Sequence, residues 1–150
     1  MLNEPMVAYA TQSSMSPFYS LLGSKHAYSD YDVLKLTRSG LSKHTLLGLA
    51  KKISITLQEL ANIMHISERT LQRYEDDAIV KSEYAEKAVE LARLYTRGEE
   101  VFGSMENFKS WMKLPNHIFN NETPLALLDN SYGFDMIFNE LGRIEHGIFA

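Results

Sequence analysis

Residues 56–75 read TLQELANIMHISERTLQRYE, and this stretch decides the fold. Thr56 and Glu59 stand three apart, the spacing at which a hydroxyl and a carboxylate satisfy each other's backbone N–H groups at a helix start. Leu57, Leu60, Ala61 and Met64 then fall at i, i+3, i+4 and i+7, one buried stripe on a short helix. His65 and Ile66 break that period. Ser67 caps a second short helix, whose inward residues are Leu71 and Tyr74. Two short helices joined by a three-residue turn have the layout of a helix-turn-helix. The turn needs a residue at positive φ; His65 stands there, and His enters that region more readily than most residues.

Helical period extends outward on both sides. Upstream, Ser29 with Asp32 reads as a capping box for a helix through Tyr31, Leu34 and Lys35 that ends near Ser39-Gly40. Ser42 opens a second helix with Leu46, Leu47, Leu49, Ala50 and Ile53 on its apolar face. Downstream, residues 82–102 form a longer helix with Tyr84, Ala88, Leu91, Ala92, Tyr95 and Phe102 on one side. Phe108, Trp111 and Met112 mark a further short helix stopped by Pro115, with Trp111 read as core. Thr123-Pro124 is an N-cap followed by Pro at the first helical position, opening the turn of Leu125, Leu127 and Leu128. The last helix shows Phe134, Ile137, Phe138, Leu141 and Ile144 and stops at Gly147. No strand-like alternation of any length appears. The expected fold is all-α: a helical bundle with a helix-turn-helix part over 29–80 and a second helical part over 81–150. Residues 1–28 lack helical period and read as a mobile arm.

Length and composition narrow the class. A chain of 150 residues suits one domain or two small parts sharing a core, and needs no metal or disulfide to hold it. It has no cysteine, which excludes disulfides, Cys-based zinc sites and thiol catalysis. The formal charge is −4, so the chain is no general polycation that coats nucleic acid. The charge is uneven, however. Residues 35–73 hold Lys35, Arg38, Lys43, Lys51, Lys52, Arg69 and Arg73 against only Glu59 and Glu68, whereas residues 98–150 sum to −5. A basic stretch and an acidic end suggest two kinds of partner. Residues 5–24 are uncharged, but polar residues are scattered through them, so they do not span a bilayer and lack the apolar core of a secretory signal. A cytoplasmic protein with no membrane partner is expected.

The second helix of the pair is the natural reader of a DNA groove. Ser67, Arg69, Thr70, Gln72 and Arg73 suit base edges and phosphates, and Lys51 and Lys52 lie just before the pair, where they can grip the backbone. The competing reading is an ordinary solvated helix face. Glu68 and the run Glu75-Asp76-Asp77 repel phosphates, so binding should require a homodimer and fall steeply with salt. Catalysis finds no support: His26, His44, His65, His117 and His146 are dispersed, and no glycine-rich phosphate loop or GxSxG elbow occurs. Glu140 and Glu145, five apart on one helix, lie on different faces. Neither an enzyme nor a cofactor is expected. At the far end Arg143, Glu145 and His146, with the tail Ile148, Phe149 and Ala150, crowd charged and aromatic groups together. They read either as a cap folded back on the core or as a short plug for a partner's cleft.

Several short segments occur in an order that is more specific than any one of them. They are Glu100-Val101-Phe102-Gly103, Trp111-Met112, Leu114-Pro115-Asn116, the run from Thr123 to Asp129, and Gly142-Arg143-Ile144-Glu145-His146-Gly147. With the helix-turn-helix of 56–75 they make the chain, from about residue 30 to residue 150, resemble the Xre/MbcA/ParS-type antitoxins of bacterial toxin–antitoxin pairs. The likeness is greatest to Xre antitoxins paired with RES-domain toxins. The resemblance implies an Xre/Cro-like DNA-binding part that represses its own operon as a homodimer, and a C-terminal part that binds an NAD-consuming RES toxin and occludes its active site. It implies Arg143, Glu145, His146, Ile148, Phe149 and Ala150 as toxin contacts, and Ser67, Arg69, Thr70 and Arg73 as DNA contacts. Asn116 and Asp129 match as well, but suit structural capping equally. The alternative is a stand-alone regulator whose C-terminal region only dimerises. The implied partners are thus the cognate toxin and operator DNA.

Overall fold

The computed structural model describes residues 20–23 and 29–147. Its elements in order are α1 (Asp30–Ser39), α2 (Lys43–Lys52), α3 (Leu57–Met64), α4 (Glu68–Arg73), α5 (Ser82–Phe102), α6 (Met105–Met112), two 3-10 helices (His117–Phe119 and Pro124–Asp129) and α7 (Ser131–Glu145). Among the described residues there is no strand, only two isolated bridges, Ser42–Ile79 and Asn116–Glu122. The fold is all-α, as the periodicity predicts.

The helices start where the side chains dictate. Ser29 with Asp32, and Thr56 with Glu59, form complete capping boxes. Ser42, Ser67 and Thr123 each accept an N–H from three residues on. Thr123-Pro124 opens a 3-10 helix rather than an α-helix. Tyr74, expected inside the second helix of the pair, is instead its extended C-cap, and α4 ends at Arg73. Helix α1 leaves Tyr31 and Leu34 exposed and packs Val33 and Leu36 against the core.

One helix organises the rest. Helix α5, 21 residues and so about 31 Å long, buries Ala85, Ala88, Val89, Leu91, Ala92, Leu94, Tyr95 and Gly98. It touches α1, α2 and α3 on one side of the chain and α6 and α7 on the other. The two halves therefore share one core, to which Leu21 and Leu22 of the segment preceding α1 also contribute. At the C-terminal end of α5 an aromatic cluster closes the packing. Tyr95 meets Phe108 edge-on at 5.0 Å, Phe108 stacks on Trp111 at 5.9 Å, and Trp111 meets Phe119 at 6.1 Å. Trp111 is thus part of the core.

Gly98 makes that cluster possible. A Cβ placed there would lie 2.3 Å from a ring carbon of Phe108, a separation no real pair of carbons adopts. The Gly98→Ala variant is therefore expected to lose about 1–3 kcal/mol of stability through overpacking. Urea unfolding should show a lower midpoint with an unchanged slope; a midpoint equal to wild type would contradict the close approach.

Candidate DNA-reading helix and toxin-facing half

Helix α3 ends on His65, which adopts φ 55 and ψ 42 and donates its backbone N–H to Asn62, closing the left-handed turn. Ser67 follows as the N-cap of α4, and its hydroxyl also donates to Thr70 at 2.7 Å. Helix α4 has six residues, too few to be stable by itself in water. Leu71, 1% exposed, is its only buried residue. Arg69, Thr70, Gln72 and Arg73 are all exposed, as are Ser67, Lys51 and Lys52. Arg69 and Arg73 make no ion pair with any described residue, so their guanidinium groups are available to an outside anion. Lys52 Nζ donates to the backbone carbonyl of Ser20 at 2.5 Å.

Periodicity offered no sign of what holds the far end of α4. Lys43, one of the cations of the basic stretch, is buried, and its ammonium donates to the carbonyls of Gln72 at 3.2 Å and Tyr74 at 2.7 Å. A cation against the last carbonyls of a helix satisfies acceptors that have no intrahelical donor and complements the helix dipole. The backbone adds two more pins, Lys43 N–H to Ala78 O at 2.8 Å and His44 N–H to Asp76 O at 2.9 Å. These hold the acidic run Glu75-Asp76-Asp77, exposed to solvent, just beyond the exit of α4. Any duplex gripped by Arg69 and Arg73 must accommodate those carboxylates.

In the C-terminal half Glu145 and Arg143 are both engaged internally. Glu145 makes a bidentate pair with Arg97 of α5, at 2.8 and 2.5 Å, and Arg143 pairs with the largely buried Glu140 at 3.4 Å. The hydrogen bonds from Arg97 hold the Glu145 carboxyl below the ordinary glutamate range, and Glu145 in turn raises Arg97. The sign follows: this latch contributes above the ordinary glutamate pKa and is lost as acid carries the pH through the depressed folded value. Arg143 and His146 are exposed on the last turn of α7 and just after it, with Tyr132 and Met136 exposed further up the same helix. Ile148, Phe149 and Ala150 lie outside the described residues. Burial pushes the phenol of Tyr95 far above its usual value, with the Glu59 charge as a smaller cause.

The two halves also meet across a cleft of about 700 Å³, walled by Glu59, Asn62 and His65 on one side and Thr123, Ala126 and Asp129 on the other. Among the described residues no group of three or more His, Asp or Glu side chains is arranged to hold a metal ion. No described helix is long and apolar enough to cross a membrane.

An exposed second helix bearing Arg69 and Arg73 on an internally capped helix-turn-helix is the layout of a DNA-binding motif. Comparison with known families places it further. Residues 32–93 match the family model of the antitoxin Xre-like helix-turn-helix domain, and residues 97–147 match that of the antitoxin Xre/MbcA/ParS C-terminal toxin-binding domain. The chain belongs to the Xre-type antitoxins of toxin–antitoxin systems. No curated protein matches it. The two matched segments meet at residues 93–97, inside α5, so the helix that carries the core also joins the two functional parts.

The Lys43 cap predicts a contrast between neighbouring cations. Lys43→Met keeps the aliphatic stem but strands two carbonyls, and should cost about 1–3 kcal/mol. Lys51→Met, on an exposed position, should stay within about 0.5 kcal/mol. Urea denaturation of the two variants side by side decides the matter; equal stabilities would contradict the capping role.

Proposed function

We propose that this antitoxin neutralises an NAD-degrading, RES-domain toxin encoded beside it by occluding the toxin's active site. As a homodimer it represses their shared operon in the cytoplasm. It needs no cofactor and carries out no catalysis. In this reading residues 29–80 serve DNA and residues 81–150 serve the toxin and the dimer; within 1–28, expected to be a mobile arm, Leu21 and Leu22 are instead packed into the core.

The observation that carries the reading is the presence, on one core, of an antitoxin helix-turn-helix match and a toxin-binding family match. Ser67, Arg69, Thr70, Gln72 and Arg73 stand ready for bases and phosphates, flanked by Lys51 and Lys52 at the end of α2. Arg143 and His146, followed by Ile148, Phe149 and Ala150, would enter the toxin. The role of Glu145 is better divided: while paired with Arg97 it fixes the end of α7, and so positions the segment that follows it. The charge of −5 over residues 98–150 favours a cationic cleft, as a pocket for the phosphates of NAD should be. Attraction of that kind speeds encounter and weakens with salt.

The two parts are expected to separate on mutation. Arg69→Ala with Arg73→Ala should abolish retardation of a duplex from the chain's own promoter, yet leave co-purification with the product of the neighbouring reading frame intact. Arg143→Ala, or removal of Ile148–Ala150, should weaken rescue of toxin-expressing cells while leaving the duplex bound. Loss of both activities in either variant, with the fold retained by circular dichroism, would refute the division.

A further inference from the structure

Helix α3 is fastened to the toxin-binding half at both of its ends. Before it, the ammonium of Lys113 donates to the carbonyl of Ser54, two residues ahead of the Thr56 cap. After it, Nε2 of His65 lies 2.5 Å from the carbonyl oxygen of Asp129. A carbonyl only accepts, so this ring nitrogen carries the proton. Lys113 is the C-cap of α6, and Asp129 immediately precedes Asn130, the N-cap of α7. Both tethers therefore run from elements within the toxin-binding match to the ends of the first helix of the DNA-reading pair.

Between these two points α3 meets the C-terminal half through the second 3-10 helix, Pro124–Asp129, but that contact is incomplete. The 700 Å³ cleft opens there, with Glu59 and Asn62 on its near wall. Buried Leu60, Ala61, Ile63 and Met64 hold the inner face of α3, and the two polar bonds fix its ends to the C-terminal half. The start of α4 follows the pose of α3, because only the short turn from His65 to Ser67 separates them, while Lys43 of α2 holds its far end.

We propose that Lys113 and His65 are positioning residues for operator reading, through which the toxin-binding half sets the pose of α4. The proposal rests on the reading of α3 and α4 as the operator-binding unit. It has a consequence for regulation. A partner that grips α7 loads the segment 129–131 directly, and so acts on His65. By linkage, toxin and operator must then alter each other's affinity by one common factor.

Two variants isolate the tethers without threatening the fold. His65→Gly keeps a residue suited to positive φ and removes only the side-chain bond. Lys113→Met keeps the stem and removes the ammonium; Lys113→Arg retains a donor and is the rescue. Hydrogen exchange on the full chain is read first, since it needs no partner. In the double variant, amides of residues 57–73 should exchange about tenfold faster while those buried in α5 keep their protection. Unchanged rates, or equal acceleration everywhere, would overturn the proposal.

Binding is read second, with a labelled duplex of the DNA upstream of the chain's own gene. The double variant should bind it about five- to tenfold more weakly, with Lys113→Arg in the His65→Gly background restoring part of the loss. Addition of the neighbouring gene's product should shift duplex affinity by a factor of about 5 or more in wild type and by a factor near 1 in the double variant. A toxin-induced shift of the same size in both proteins would overturn the proposal. A wild type that binds no upstream duplex at all would instead sink the operator reading, and the exchange result would still judge the tethers.

Discussion

Helix α5 can serve two halves only because its buried stripe is built largely from small residues. Ala85, Ala88, Ala92 and Gly98 let neighbouring helices approach closely, while Leu91, Leu94 and Tyr95 fill the space between them. Close packing at the density of small-molecule organic crystals makes such an arrangement intolerant of added volume. Gly98 is the extreme case, with the ring of Phe108 lying where its Cβ would be. One family match ends and the other begins inside this helix, so the packing that gives the chain its stability is also what joins its two matched parts.

Against that core helix α4 is held by few but well-placed contacts. Six residues cannot sustain helix α4 by propensity, and Leu71 supplies its only buried side chain. The Ser67 cap satisfies its start, and the Lys43 ammonium its end. Anchoring by caps leaves nearly every side chain of α4 free to face outward, which is what a groove-reading element requires. A longer apolar stripe would make a more stable helix but a poorer reader.

Local signals in the sequence were legible where the physics is local. The capping pairs Ser29–Asp32 and Thr56–Glu59, the Thr123-Pro124 start and the positive φ at His65 all depend on residues within four positions of one another. The apolar stripes of α2, α3, α5 and α7 were legible for the same reason. What escaped is long-range and polar. Lys43 counted as one more surface cation, because nothing within its own helix reveals that carbonyls 29 and 31 residues away would bury it. Glu145 pairs with Arg97 across 48 residues, and His65 meets Asp129 across 64. Such bonds arise only once the helices have packed. The caps at Ser104 and Asn130 are local as well, each a capping residue that opens a helical run.

In the proposed reading the antitoxin engages operator and toxin from one folded unit. Arg143 lies about 18 Å along α7 from the segment that touches His65, so the two proposed contact regions are separated in space but joined through a single helix. Native mass spectrometry of the chain mixed with its upstream duplex and the neighbouring gene's product tests this most directly. A single species containing all three components is the expected result. Duplex and toxin that displace one another, or a toxin that never joins the chain, would contradict it.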